Sequence, residues 1–315
     1  MKYVFIVNPT SGQGKHSKGL VPQIEALIQE HPDKDIKIYY TRGVKDATTL
    51  ADQIAKEAQE IVRIFACGGD GTIQEVCNGI YGHDNAELGI IPVGSGNDFV
   101  RALGGDAGAK PRYLDLNAQI DAPAKKIDLI RMTWTSGGKE HSCLVDNGIN
   151  IGFDGNTAIL ASEYKNLPGV SGTGSYILAL AKNLVLKKGE DLRVIADGNE
   201  IFNGPLLLAT VANGGFCGGG FESCPRADLS DGLLEVLVIN NMSRTKFLTL
   251  VPKYKDGKIF DVKNDNNKLF TYTQAEEIII EPNNGSMQFV ADGEKIVAES
   301  LKLEVVKEAI SVAYL

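Results

Sequence analysis

The residues that could do chemistry in this chain fall into three short polar loops, each directly after an apolar run: Asn8-Pro9-Thr10-Ser11-Gly12-Gln13-Gly14-Lys15, Gly68-Gly69-Asp70-Gly71-Thr72 and Gly94-Ser95-Gly96-Asn97-Asp98. In the second loop the glycines let backbone N–H groups turn toward a ligand with no Cβ in the way, and Thr72 is expected to cap a helix beginning near Ile73. A helix N-terminus of that kind suits a phosphate. Asp70 puts a negative charge in the same place, which fits a loop that also faces Mg²⁺ or a substrate hydroxyl. A plain strand-to-helix turn is the alternative for residues 68–72.

The first loop has the outline of a P-loop but not its chemistry. Pro9 stands where that motif needs Gly, and His16 follows Lys15 where Ser or Thr should hold the metal. Either Ser11, Gly12 and Lys15 contact phosphates, or the segment is an ordinary solvated βα loop. In the third loop, Asn97 or Asp98 could equally cap a helix carrying Phe99, Val100 and Leu103.

Positioning these loops requires parallel strands. Apolar runs at 3–7, 35–40, 61–66 and 88–93 read as strands, separated by helices carrying Leu20, Ile24, Leu27 and Ile28, then Leu50, Ile54 and Ala58, then Ile73, Val76, Cys77 and Ile80. This is the pattern of an open, doubly wound α/β sheet, in which ligands bind at the carboxyl ends of the strands, so the loops should converge there. From about residue 125 short strands and turn signals take over. Strands are expected at 126–135, 141–151, 192–196, 206–212, 233–239, 277–281 and 287–291, with one helix near 175–186. A length of 315 residues suits two domains, placed here at 1–125 with 300–315 and at 126–299.

Composition removes several function classes. A formal net charge of −8 disfavours nucleic-acid binding, which needs clustered Lys and Arg. Five cysteines without a Cys-x-x-Cys pair argue against a disulfide framework and a zinc knuckle, and four histidines make no His-Glu-x-x-His. No apolar run nears the roughly 20 residues of a membrane span, and the N-terminus lacks a signal-peptide core, so a cytoplasmic location is expected.

Together, Asn8-Pro9 with Ser11-Gly12, residues 68–72 with Glu75, and Gly94 with Asn97-Asp98-Phe99 resemble the diacylglycerol kinase catalytic family. The resemblance extends over nearly the whole chain through Asn213-Gly214 with Gly218-Gly219-Gly220, Pro225 with Ala227, Asp231-Gly232-Leu233 and Asp292-Gly293-Glu294. It implies an α/β nucleotide-binding domain followed by a β-sandwich, with the C-terminal segment returning to the first and the active site in the cleft between them.

By position, the resemblance implies that Asn8, Ser11, Gly12, Thr41, Gly68, Gly69, Asp70, Gly71, Thr72 and Ser95 line an ATP site. It puts Asp98 close to the lipid hydroxyl, makes Glu294 the proton acceptor and sets Asp292 beside it in a water and metal network. A carboxylate base of this kind contributes about 10²–10⁴ in rate. A hairpin turn is the alternative for Asp292-Gly293-Glu294. Asp228, Asp231 and the carbonyl of Leu233 match a Mg²⁺ site of soluble bacterial members, hard oxygen ligands suiting that ion, and a bare turn is again the alternative. Ser95 stands where the family has Thr, which points to altered nucleotide affinity without loss of function, and Gln74 stands where Asn is more frequent, which alters a minor contact.

The implied activity is ATP- and Mg²⁺-dependent phosphorylation of a lipid hydroxyl, foremost that of diacylglycerol, by an enzyme peripheral at the inner membrane face and dimeric by analogy. The region of Tyr176, Ile177, Leu180, Leu184 and Leu186, with Lys182, Lys187 and Lys188, could meet headgroups or simply cover a sheet. The competing readings are another lipid acceptor such as a sphingoid base or phosphatidylglycerol, an NAD kinase, which shares the Gly-Gly-Asp-Gly loop, and a non-catalytic nucleotide or lipid sensor.

Overall fold

The computed structural model describes residues 1–94, 96–104, 110–153, 157, 160, 164, 179, 182, 189–264, 268–291 and 294–314. They fall into two compact units, Met1–Leu129 with Lys307–Leu315, and Ile130–Val306.

In the first unit five strands make a parallel sheet: β1 (Lys2–Val7), β2 (Asp35–Tyr40), β3 (Val62–Gly68), β4 (Ala86–Pro92) and the end of β15 (Ser300–Ala313). The order is β2-β1-β3-β4-β15. β1 and β3 are almost wholly buried, as expected for strands covered on both faces, so they read as unbroken apolar runs. Helices α1 (Lys15–Glu30), α2 (Asp46–Glu57), α3 (Asp70–Ile80), α4 (Asp98–Gly104), α5 (Lys110–Tyr113) and α6 (Leu116–Asp121) connect them. On one face Leu20, Ile24 and Leu27 of α1 pack against Tyr3, Phe5 and Phe65, and the Phe5 and Phe65 rings stack at 4.4 Å. The chain leaves β1 for β2 on one side and returns to β3 on the other. That reversal opens a crevice above the carboxyl ends of β1 and β3.

The second unit is a sandwich hinged on one long strand. β9 (Asn199–Ala212) pairs through its first half with β8 (Glu190–Ala196), and through residues 206–212 with β10 (Leu234–Asn240) and β7 (Gly148–Gly152). One sheet continues from β8 to β12 (Glu277–Pro282), the start of β15, β5 (Ala124–Ser136) and β6 (Lys139–Val145). The other adds β11 (Phe270–Ala275) beyond β10, and β13 (Met287–Ala291) with β14 (Glu294–Ala298) beyond β7.

Leu206, Ala209 and Val211 face the sandwich core with Leu234, Val236 and Val238. Leu207, Leu208 and Ala212 face a second core closed by α7 (Arg244–Lys255) through Phe247, Leu250 and Tyr254. With both faces covered, residues 206–212 show no alternation.

Several expectations change. The single strand expected at 141–151 is two, broken at Asp146-Asn147, and β11 and α7 were not anticipated, while β14 pairs with β13 as the hairpin alternative for Asp292-Gly293-Glu294 required. The helix expected at 175–186 lies outside the described residues apart from Ala179 and Lys182. Thr72 does not cap α3, because that helix starts at Asp70 with the extended Gly69 as its N-cap.

Candidate active site

The crevice of the first unit is built by loops tied to one another across long sequence separations. Asn8 leaves β1 with its N–H bonded to the Cys67 carbonyl at 3.0 Å, and its Nδ2 donates to Thr72 Oγ1 at 3.1 Å. Its Oδ1 accepts from Thr10 N and Oγ1 at 3.0 and 2.8 Å. Ser11 N–H bonds the Asn8 carbonyl at 3.2 Å, Gly12 turns the chain at φ 60°, and Thr41 N–H bonds the Val7 carbonyl at 3.0 Å. Asn8, Ser11, Thr41 and the β3–α3 loop therefore surround one place.

Two glycines are needed here for close approach. A Cβ on Gly68 would lie 2.2 Å from Thr72 Oγ1, and one on Gly94 would lie 2.4 Å from the Gly69 Cα, backbone against backbone. Nothing stands within 4 Å of a Cβ built on Gly71, which is exposed in the first turn of α3. A ligand phosphate could come up to the helix there without meeting a side chain.

Asp70 and Asp98 hold Gly96 and Asn97 between them, Asp98 through Arg101. Asp70 Oδ2 accepts from Asn97 N–H at 2.8 Å, while Asp98, buried at 9% exposure, pairs with Arg101 Nη1 at 2.8 Å. Arg101 Nη1 also donates to the Gly96 carbonyl. Asn97 adopts φ 58° and donates from Nδ2 to the Gly94 carbonyl at 3.0 Å. Ser95 lies outside the described residues. Sequence reasoning missed Arg101, although its i, i+3 spacing from Asp98 on a short helix was legible. It also left the work of Glu75 unstated. That carboxylate caps α2 from outside, accepting from Lys45 N–H at 2.9 Å and Ala47 N–H at 3.0 Å.

In the second unit the candidate residues lie in local turns. Asp228 Oδ1 accepts from Ser230 N–H at 3.0 Å and Oγ at 2.8 Å, and Asp231 Oδ1 accepts from Leu233 N–H at 2.9 Å across Gly232 at φ 75°. Two oriented carboxylates and a nearby carbonyl are hard oxygen donors of the kind Mg²⁺ takes. Among the described residues no three His, Cys, Asp or Glu side chains gather as a metal cluster. Glu294 opens β14, exposed, opposite Ala291 in the β13–β14 hairpin. Asp292 lies outside the described residues.

Next to the Asp231 turn is an unanticipated buried carboxyl, Glu235, at 2% exposure. Burial pushes its pKa up to about 7; the Gln274 hydrogen bond to Oε1 at 2.9 Å works against this, the negative charge of Asp231 adds to it, and Arg226 opposes it. Tyr272 donates to its Oε2, and the Arg226 guanidinium stacks 4.1 Å from the Phe260 ring centroid. A single Glu within the apolar run Leu234–Asn240 was the sequence signal for it.

Glycine loops at the switch point of a parallel sheet, followed by a β-sandwich, define the class of nucleotide-dependent phosphotransferases to which the comparisons also lead. Residues 2–132 match the diacylglycerol kinase catalytic domain, and residues 147–314 match the YegS C-terminal NAD kinase beta sandwich-like domain. The chain is 29% identical over 297 residues to a diacylglycerol kinase of Bacillus subtilis, spanning 92% of this chain and 88% of that one. It is 30% identical over 265 residues to one of Mycobacterium tuberculosis, spanning 81% and 79%. A crystal structure of a diacylglycerol kinase from Bacillus anthracis superposes with a TM-score of 0.69 over 100% of this chain and 97% of that one, at 22% identity. The chain belongs to the diacylglycerol kinase family, and it is a lipid kinase that uses ATP.

Proposed function

We propose that this kinase transfers the γ-phosphoryl group of ATP to the free hydroxyl of diacylglycerol, forming phosphatidic acid and ADP. The observation that carries the reading is the cradle above β1 and β3, where Asn8 reaches Thr72 and Gly69 meets Gly94 beside the exposed first turn of α3. Asn8, Ser11, Gly12, Thr41, the loop of residues 68–72 and Ser95 bind the nucleotide. Asp70 and Asp98 orient the phosphate-proximal loop and the acceptor hydroxyl. The bond between the γ-phosphorus and the β,γ-bridging oxygen breaks as the bond to the lipid oxygen forms, and Glu294 takes the hydroxyl proton, with Asp292 beside it. Phosphoryl transfer of this kind depends mainly on positioning and charge neutralisation, so the base need not be strong.

Mg²⁺ is part of the proposal. Asp228, Asp231 and the Leu233 carbonyl would hold one ion, which there supplies charge neutralisation and rigidity to the turn. Among the described residues no helix is long and apolar enough to cross a membrane, in keeping with an enzyme that meets its lipid peripherally, at the inner face. A homodimer is part of the same reading.

The test presents the protein with γ-labelled ATP and Mg²⁺ against mixed micelles of diacylglycerol, sphingosine, ceramide and phosphatidylglycerol, with NAD as a soluble acceptor. Label should enter diacylglycerol and disappear with Glu294→Gln. Label in a different lipid would replace the acceptor, and label in NAD alone would sink the assignment.

A further inference from the structure

The contacts around residues 94–98 assign a role to a side chain that no motif singled out. Arg101 carries one guanidinium nitrogen, Nη1, to two acceptors: the Asp98 carboxylate at 2.8 Å and the Gly96 carbonyl. Its own N–H returns to the Asn97 carbonyl at 3.3 Å. From the opposite side Asp70 Oδ2 takes the Asn97 N–H at 2.8 Å. Gly96 and Asn97 are thus held between a carboxylate at the start of α3 and a guanidinium on α4.

We propose that Arg101 is the positioning residue of this half of the active site, fixing Asp98 toward the acceptor hydroxyl and the Gly94–Asn97 loop toward the nucleotide with one cation. The inference rests on the reading of Asp98 as an acid of the reaction. Three features favour it over a bystander ion pair. Asp98 is buried, and removing the cation paired with a buried carboxylate is costly. Both contacts are made by one nitrogen, so the carboxylate and the loop cannot move independently. The Arg101 side chain keeps 23% exposure, so it reaches the site from an open edge and is not locked in the core.

The consequence is a kinetic signature. Arg101→Met, matched in length and without charge, should lower kcat by about 30-fold and raise the KM for ATP severalfold, the scale of a lost charge-assisted hydrogen bond. Arg101→Lys, which keeps the cation, should recover most of kcat. Guanidinium ion should partly restore Arg101→Ala, because the vacated edge is open to solvent; a role confined to stabilising the fold would not respond to it. In an Asp98→Asn background, Arg101→Met should add less than about threefold, since residues acting as one unit are not additive.

Circular dichroism and thermal melts accompany each variant, and if Arg101→Met does not fold, the Lys variant and the Asp98→Asn pair with Arg101→Lys carry the test. Full multiplicative losses in the double variant, or wild-type kinetics in folded Arg101→Met beside an inactive Asp98→Asn, would overturn the assignment to Arg101 alone. Wild-type turnover by Asp98→Asn would instead overturn the reading on which it rests.

Discussion

The two units hold their polar residues in opposite ways. In the α/β unit, side chains lock onto groups distant in sequence: Asn8 to the Thr72 hydroxyl, Asp70 to the Asn97 backbone N–H, Glu75 to the backbone N–H groups at the start of α2. In the sandwich unit, Asp228 and Asp231 accept hydrogen bonds within their own turns, and Glu294 stands exposed at the first residue of a strand. Interlocking of the first kind costs little reorganisation when a nucleotide arrives, which suits binding of a ligand of fixed shape. Residues of the second kind lie in local turns or at the start of a strand, a placement that suits an ion or a variable lipid.

Activity and stability should therefore separate differently in the two halves, and the largest effect tests this directly. Glu294→Gln should lower turnover by about 10²–10⁴ with an unchanged melting temperature, since the side chain is exposed. A matching fall in stability would mean the residue is part of the framework.

Gly94→Ala should do both at once. Its Cβ meets the Gly69 backbone, which cannot rotate away, so a loss of about 1–3 kcal/mol in unfolding free energy and weaker ATP binding are expected together. Gly71→Ala is its counterpart: with open space around the new Cβ and better helix propensity, stability should hold or rise while the KM for ATP increases. An unchanged KM would remove the backbone of Gly71 from the phosphate site.

Glu235 sharpens the comparison through pH. Its carboxyl titrates near 7 when folded against an ordinary value of 4.5, so the folded state increasingly disfavours the charge as pH rises from 4.5 through 7. Glu235→Gln should match the wild type at pH 4.5 and exceed it by on the order of 2 kcal/mol at pH 8, measured by denaturant unfolding in EDTA. A constant difference across that range would locate the cost elsewhere. A small effect is expected for Asn8→Ala, which removes the bond from the residue after β1 to Thr72 of α3 together with the two exposed bonds from Thr10, and should cost about 1 kcal/mol with a modest rise in the KM for ATP.

Legibility in the sequence followed the same division. The bounds of β2 came out at 35–40 as expected, and the three chemistry-bearing loops lie where parallel strands end, because buried parallel strands and glycine punctuation are local signals. The helix α7 was equally readable from Phe247, Leu250, Val251 and Tyr254, whose spacing was passed over beside Pro252. The break at Asp146-Asn147-Gly148 was a turn signal inside an apolar stretch. β11 was harder, since Thr271, Tyr272, Thr273 and Gln274 carry little hydrophobicity and Tyr272 is there to meet Glu235. The Asn8–Thr72 bond spans 64 residues, and no local pattern announces a contact of that kind.

The last strand has a consequence for how the protein is made. β15 begins among the sandwich strands and ends in parallel register with β4, Ser311 opposite Glu87 and Val312 opposite Leu88. On a ribosome the edge of β4 therefore waits for its partner through some two hundred residues of further synthesis. During that interval the parallel sheet presents an uncovered strand edge, the feature most prone to pairing with the wrong chain. A message cut short within the sandwich would yield a first unit with that edge left open, so completion of the second unit decides whether the first becomes a finished fold.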